Sequence, residues 1–154
     1  MNLIICLIEP KIPPNTGTIA RLCAANSCTL HLVGDLGFSL DDKQLKRAGM
    51  DYWNHVDWTH FPDTETYLSG LDPSKIHLFT SKVERSYTSV SYEAGDVLIF
   101  GSETSGLDES ILNRFSDRCC TIPMLNPNEE IRCLNLANAV SIGMYEAFRQ
   151  WGKI

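Results

Sequence analysis

Three loops of the sequence combine residue types that could bind a ligand. They span residues 9–17, 101–106 and 124–133, and each follows an apolar segment that is predicted to be a buried strand. In sheets of parallel strands, ligands bind at the carboxyl ends of the strands, where such loops lie. The coincidence predicts a binding site at that edge and leaves the ligand unspecified.

The segment 100–107 places two glycines, Gly101 and Gly106, around small polar residues. Glycine allows positive φ angles and a close approach of the backbone to a ligand. The segment lacks the Lys-Ser/Thr pair of a phosphate-binding P-loop, and its spacing is not that of a dinucleotide-binding GxGxxG. Composition alone favours an ordinary turn between a strand and a helix.

Asn15 lies just before the first predicted helix, and Arg21 lies in its first turn. The Asn15 side chain could cap that helix. Arg21 could form an ordinary surface ion pair, or its planar set of donors could face a phosphate or a ribose. Both interpretations of Arg21 remain open at this point.

The longest helix is predicted over residues 134–151, and it has one largely polar stripe and two apolar stripes. The polar stripe comprises Asn135, Asn138, Ile142, Tyr145 and Arg149. The apolar stripes comprise Leu136, Val140, Gly143 and Ala147, and Leu134, Ala137, Met144, Phe148 and Trp151. Two apolar sides are typical of a helix buried between layers or at a subunit interface. The two asparagines either cap neighbouring backbone or contact a ligand, and the pattern favours neither.

The scaffold for these residues is predicted to be alternating strands and helices. Strands are predicted over residues 3–8, 29–33, 52–58, 76–81, 96–100 and 119–123. Helices are predicted over residues 18–26, 41–49, 63–71, 108–115 and 134–151, whereas residues 9–17 are predicted to be irregular because of their prolines. This alternation is typical of an α/β domain with a mostly parallel sheet. A length of 154 residues suits one compact domain, residues 1–154.

The overall charge argues against a general nucleic-acid-binding protein. The net charge is −6 and the pI is about 5.1. An RNA partner would therefore need a local basic patch, of which the best is Lys43, Lys46 and Arg47, or a surface completed in an oligomer. Charge alone favours a solvated helix face for these three residues.

The apolar run 3–8 is too short to span a membrane. It also lacks the preceding basic residue that a signal peptide requires. Among the six cysteines there is no CxxC pair, and no histidine pair has metal-binding spacing. We therefore expect a soluble cytoplasmic protein without a metal site or a disulfide framework.

Three motifs, taken together, resemble those of the SPOUT methyltransferases. They are Asn15-x-x-x-x-x-Arg21, Phe100-Gly-Ser-Glu-x-x-Gly-Leu107, and Ile122-Pro-Met124 followed by Leu134-Asn-Leu-Ala-Asn-Ala-Val140. Residues 9–17 and 48–52 are similar to one branch of that superfamily. This branch comprises the wobble-position tRNA 2′-O-methyltransferases, which lack an added RNA-binding domain.

The resemblance implies a mostly parallel sheet flanked by helices, with a C-terminal deep trefoil knot, a rare feature of proteins. It implies S-adenosylmethionine as cofactor, and a homodimer in which each site borrows residues from the partner. The implied partner is the anticodon stem-loop of a tRNA, with leucine tRNA as the implied substrate. The methyl acceptor would be the ribose 2′-hydroxyl of the wobble cytidine or modified uridine.

The resemblance also implies residue roles. The cofactor would be bound by Phe79, Gly101, Ile122 and Cys133, with Glu103, Leu134 and Asn138 in support. RNA handling or catalysis is implied for Arg21, and Tyr145 matches a functionally important tyrosine. Three features depart from the family: Cys133 replaces a usual serine, Ser105 replaces a frequent arginine, and the loop 126–131 is longer.

Other functions fit parts of the same pattern. A 2′-O-methyltransferase for another tRNA site or for ribosomal RNA would carry the same motifs. A non-catalytic RNA-binding protein of this fold is a further alternative, to which Cys133 gives weight. A nicotinamide-dependent oxidoreductase is disfavoured, because no GxGxxG follows the first strand.

Overall fold

The computed structural model describes residues 2–41, 43, 45, 47, 50–126, 128, 130–131 and 133–154. Its centre is a six-stranded sheet in the order β3-β2-β1-β5-β4-β6, in which every neighbouring pair is parallel. The strands are β1 (Ile4–Ile8), β2 (Thr29–Val33), β3 (Asp57–Phe61), β4 (Ile76–Phe79), β5 (Val97–Phe100) and β6 (Cys119–Cys120). The predicted α/β class and parallel sheet are confirmed.

Helices cover both faces of the sheet. Successive side chains of each strand point to opposite faces, so each strand contributes to a core on both sides. The helices used below are α1 (Pro13–Asn26), α2 (Thr64–Ser69), α3 (Glu109–Arg114) and α4 (Leu136–Gln150). In β1, Ile5 and Leu7 belong to the core under α1 and α4, whereas Cys6 and Ile8 belong to the core under α2 and α3. No helix in the described part of the chain is long and apolar enough to cross a membrane.

The first helix begins earlier than predicted. An irregular segment is expected over residues 9–17, but α1 starts at Pro13, so that only residues 9–12 form a loop. The expectation is wrong because Pro13 and Pro14 occupy the first helical positions, where no backbone N–H is needed and the fixed φ of proline suits the helix. Glu9, with φ 50°, ends β1 in the left-handed region.

The segment after the basic helix also differs from the prediction. The predicted strand 52–58 is replaced by a 3-10 helix, Met50–His55, followed by β3 at Asp57–Phe61. Because β3 is an edge strand with exposed alternate positions, it lacks the continuous apolar run of the central strands. Within the predicted helix 41–49, residues 43, 45 and 47 are helical and Asp41 lies in a turn. The remaining residues of this range lie outside the described residues.

The long C-terminal helix is confirmed within two residues at each end, as α4. Val140, Met144 and Ala147 are fully buried against the sheet and α1. Both apolar stripes therefore contribute to burial within a single chain, and two-sided burial alone does not require a partner subunit. The predicted knot stays a prediction. The chain leaves β6 at the sheet edge beside β4, and α4 packs against α1 and β5.

Candidate functional site

A cavity of about 620 Å³ lies at the carboxyl edge of the sheet. The loops after β4, β5 and β6 and the start of α1 and α4 surround it, so all three loops predicted from the sequence contribute. Of the residues expected to bind a cofactor, those that line the cavity are Phe79, Gly101, Glu103, Ile122, Cys133 and Leu134. Its volume is in the range of sites that enclose a small-molecule ligand.

The loop after β5 is closed by its own backbone. Ser102 and Gly106 donate reciprocally to one another's carbonyls, at 3.2 Å from the Ser102 nitrogen and 2.8 Å from the Gly106 nitrogen. A side chain at Gly101 would overlap the backbone of Gly106 and Leu107, and Gly106 itself has φ 69°. Both glycines are thus required by closure of the loop, which then presents its backbone to the cavity.

The Glu103 carboxylate joins this loop to the segment before α1. It accepts hydrogen bonds from the backbone N–H groups of Lys11 (2.7 Å) and Ile12 (3.2 Å) and from the Asn15 side-chain amide (3.2 Å). An ionised carboxylate can accept several such bonds at once. Glu103 therefore holds two of the cavity's loops together, and its support of a bound cofactor stays a prediction.

Asn15 extends the same network to α4. Its side-chain oxygen accepts from the Asn135 amide at 3.0 Å, and the Asn135 oxygen in turn caps α4 by accepting from the backbone of Ala137 and Asn138. The expectation that Asn15 caps α1 is wrong, because Ile12 occupies the cap position and Asn15 lies inside the helix. Asn135 thus caps neighbouring backbone, one of its two predicted roles. It also lines the cavity, so its contact with a ligand stays a prediction.

The cavity wall is largely apolar. Phe79 stacks on Phe100, with ring centroids 4.6 Å apart and planes inclined by 21°. Gly143 of α4 makes room for this pair, since a Cβ there would lie 2.8 Å from the Phe79 ring. Together with Ile122 and Leu136 these rings suit a flat apolar group, while the loop backbones suit its polar edges.

Two of the cysteines near the cavity differ in exposure. Cys133 is exposed and lines the cavity, whereas Cys120 at the end of β6 is fully buried. Burial raises the pKa of the Cys120 thiol to about 12. All six cysteines are free thiols, and the described residues include no group of three side chains able to hold a metal ion.

The residues expected to contact RNA lie outside the cavity. Arg21 is on the exposed side of α1, with its guanidinium carbon 5.2 Å from the centre of the Tyr52 ring. Tyr145 is 44% exposed on α4 and does not line the cavity. Asn138, which is expected to support the cofactor pocket, does not line it either. Lys43 and Arg47 are exposed, and Lys46 lies outside the described residues.

One wall of the cavity is formed by residues that were not predicted from the sequence. Thr80, Ser81 and Lys82 follow β4 directly and line it, together with Thr121 after β6. These polar residues carry no motif spacing. Their position at the carboxyl end of predicted strands was the available signal.

Comparison with known proteins identifies the family. The model of the SpoU rRNA Methylase family matches residues 2–145. A tRNA (cytidine(34)-2'-O)-methyltransferase of Yersinia pestis is 46% identical over 154 residues, covering 96% of this chain and 93% of the relative. A solved structure, described as "Structural insights into the 2-OH methylation of C/U34 on tRNA", is similar with a TM-score of 0.89 and 41% identity, covering 99% of this chain and 98% of that one.

A more distant neighbour supports the fold alone. The SpoU methyltransferase AviRb from Streptomyces viridochromogenes, solved in complex with the cofactor AdoMet, has a TM-score of 0.82 at 20% identity. The match covers 96% of this chain and 57% of that chain. Since the family model spans nearly the whole sequence, the chain belongs to the SpoU methylase family.

Proposed function

We propose that the protein transfers a methyl group from S-adenosylmethionine to the ribose 2′-hydroxyl of the wobble nucleotide of tRNA, a cytidine or a modified uridine. The observation that carries the proposal is end-to-end similarity, at 46% identity, to a relative named for this reaction at position 34. As a tRNA-modifying enzyme, it acts in the cytoplasm. Leucine tRNA is the substrate that we propose first.

The cavity fits the proposed cofactor. S-adenosylmethionine joins a flat adenine ring to polar ribose and amino-acid groups. The stacked pair Phe79 and Phe100 and the side chain of Ile122 provide an apolar wall, and the folded loop after β5 provides backbone donors and acceptors. Bound there, the cofactor supplies a methyl group on a sulfonium, which is already a good leaving system. The protein's main contribution is then to align the attacking hydroxyl.

Arg21 and Tyr145 are the residues that we propose for handling the RNA. Neither lines the cavity of its own chain. A homodimer in which each subunit offers these side chains to the partner's cavity would complete the site. Size-exclusion chromatography with light scattering tests this, and a monomer at micromolar concentration that methylates RNA at full rate would contradict it.

The attacking hydroxyl must lose a proton, because an alcohol is a poor nucleophile. Arg21 cannot accept this proton, since a guanidinium stays protonated in proteins. We propose that Arg21 orients the ribose or a neighbouring phosphate, with proton removal coupled to that phosphate, and that Tyr145 positions the nucleotide.

The acidic chain must still present positive charge to RNA. We propose that Lys43, Lys46 and Arg47 form that surface, doubled in a dimer. Binding to phosphates releases counterions, so the methylation rate at low tRNA concentration should fall steeply between 50 and 200 mM salt, the range over which several phosphate contacts have a large effect.

The reaction is tested with total tRNA from cells that lack the modification, labelled cofactor and mass spectrometry of the nucleosides. We expect 2′-O-methylcytidine or the 2′-O-methylated form of a modified uridine, located at the wobble position by nuclease mapping and enriched in leucine tRNA. Methylation at another tRNA position would overturn the site assignment, and label that is not enriched in leucine tRNA would overturn the substrate assignment.

Arg21→Ala separates chemistry from cofactor binding. We expect this variant to lose methyl transfer while binding S-adenosylmethionine with unchanged affinity in a calorimetric titration. Full retained activity would contradict the role of Arg21. The same titration on the unmodified protein addresses the alternative of a non-catalytic RNA-binding protein, which Cys133 favours, because that protein would bind no cofactor.

A further inference from the structure

The contact between Arg21 and Tyr52 joins a proposed RNA-handling residue to an exposed aromatic ring. The Arg21 guanidinium carbon lies 5.2 Å from the centre of the Tyr52 ring, within the range of a cation–π interaction. Tyr52 is 39% exposed and belongs to the 3-10 helix Met50–His55, which packs across α1. The ring thus lies on the same surface as Arg21.

The neighbouring residue explains why the Tyr52 ring is held there. Trp53 packs against the hydrophobic core, with its ring 5.2 Å from that of Trp58, and Val56 in the same segment is buried. In a 3-10 helix adjacent side chains point about 120° apart. Anchoring Trp53 inward therefore directs Tyr52 along the surface towards α1.

The two interactions proposed for Arg21 use different parts of its guanidinium. A ring stacked on a guanidinium contacts the flat face of the group, whereas bidentate hydrogen bonds to a phosphate or ribose run along its edge. The two contacts are compatible. An arginine side chain loses rotamer entropy when it is ordered, so a ring that fixes its plane beforehand reduces what must be ordered in the reacting complex.

We infer that Tyr52 is the positioning residue for Arg21, and that its ring sets the plane in which the guanidinium meets the RNA. This inference rests on the proposed function, in which Arg21 orients the ribose or phosphate. It assigns no proton transfer to Tyr52, and the role depends on the ring instead of the hydroxyl group.

The test compares Tyr52→Phe, which keeps the ring, with Tyr52→Leu, which removes it, in steady-state methylation of tRNA. Tyr52→Leu should lower kcat about tenfold with KM for tRNA unchanged, while Tyr52→Phe should stay within about twofold of the unmodified protein. In an Arg21→Lys background, the ammonium group has no plane to orient, so Tyr52→Leu should lower kcat by less than twofold. Equal losses in both backgrounds would overturn the inference.

Two further outcomes would assign Tyr52 a different role. A rise in KM for tRNA with kcat unchanged would show that Tyr52 stacks on a base instead, which contradicts the inference. A fall in cofactor affinity or thermal stability that matches the loss of activity would show a structural role, with the same consequence.

An NMR measurement does not depend on activity. The Arg21 side-chain protons should show an upfield ring-current shift in the unmodified protein and in Tyr52→Phe, and should lose it in Tyr52→Leu. An unmodified protein that methylates no RNA would refute the proposed function. An absent ring-current shift would refute the positioning of Arg21 by Tyr52.

Discussion

The two edges of the sheet each contain a carboxylate that gathers hydrogen bonds, and they use it differently. At the carboxyl edge, half-buried Glu103 accepts hydrogen bonds from the backbone just before α1 and from the Asn15 side chain within it. At the amino edge, Asp96 is only 2% exposed and accepts from the His77 ring (2.8 Å) and from the backbone of Glu93 (2.7 Å). Lys75 lies 3.7 Å from the same carboxylate.

The partners of each carboxylate decide what its network does. Glu103 connects loops that surround the cavity, so its loss should change the shape of a binding site. Asp96 connects the start of β5 to β4 and to the loop before it, and neither Asp96 nor His77 lines the cavity. The same chemistry should therefore support function at one edge and stability at the other.

Glu103→Gln should have the largest effect on cofactor binding and methylation, and so should show the difference between the two edges most clearly. The amide keeps one acceptor oxygen and places an N–H group against donors that previously faced a carboxylate. Loss of charge-assisted bonds of this kind is worth about 1.5–3 kcal/mol. We expect cofactor affinity, measured by calorimetry, to fall about 30-fold and methylation about 100-fold.

Glu84→Gln, at an exposed position, is the matched control and should leave cofactor affinity and methylation unchanged. If Glu103→Gln binds S-adenosylmethionine normally, the network around Glu103 does not shape the cavity, and the contrast between the edges fails.

Asp96→Asn should show the converse pattern. Both donors already share Asp96 Oδ2. The amide removes the negative charge from that buried oxygen, which should lower the free energy of unfolding by about 2 kcal/mol. Urea denaturation measures this loss, with Asp108→Asn as the exposed control. Cofactor affinity at a temperature where the variant is folded should change less than twofold. A larger loss of affinity would mean that the amino edge also supports the cavity.

The sequence predicted the outline of the carboxyl edge because its signals are local. Apolar runs marked the central strands, and loops after them marked the cavity, since parallel strands end together at one edge. The stripes of α4 predicted most of its buried residues, because helical periodicity is set within one segment. They missed Glu146, which is buried, and they included Leu134, which is 38% exposed. These features depend on neighbours a few residues apart.

The sequence did not predict the contacts that join the loops. The bond between Asn15 and Asn135 spans 120 positions, and Glu103 binds residues about 90 positions away. An asparagine beside a helix start predicts a cap, which is its commonest local role. The aromatic neighbours of Tyr52 predict a strand, because they favour β structure when the core contact of Trp53 is not known.

The amino edge should also respond to pH through His77. Burial lowers the pKa of His77 below its ordinary value of 6.5, and the hydrogen bond and charge of Asp96 oppose that shift. Arg118 and Arg85 lower the pKa further, and the Tyr92 ring lies against the imidazole. His77 is thus neutral at pH 7 and donates its Nε2 proton to Asp96.

When the pH falls through about 6.5, the unfolded chain binds a proton at this position before the folded chain does. The free energy of unfolding should therefore decrease between pH 7.5 and 5.5. His31, whose pKa burial also lowers, contributes with the same sign. His77→Gln should reduce the slope without abolishing it, and cofactor affinity measured over the same range should not follow it. An unchanged slope in His77→Gln would assign the effect elsewhere.

The smallest expected effect concerns Cys133, the exposed thiol on the cavity wall. The resemblance places a serine at this position in related enzymes, so Cys133→Ser should restore a hydroxyl hydrogen bond and increase cofactor affinity about threefold. Cys120→Ser is the matched substitution at a buried thiol. It should lower the free energy of unfolding by about 1–2 kcal/mol, because a hydroxyl replaces a sulfur in an apolar site.

Calorimetry and urea denaturation on both cysteine variants distinguish three possibilities for Cys133. If Cys133→Ser binds more tightly, the thiol weakens a working cofactor site. If neither Cys133→Ser nor the unmodified protein binds S-adenosylmethionine, the cavity has another ligand, and the network of Glu103 would maintain a site of different chemistry. An unchanged affinity would show that residue 133 contacts the cofactor through its backbone, so that the identity of its side chain does not affect binding.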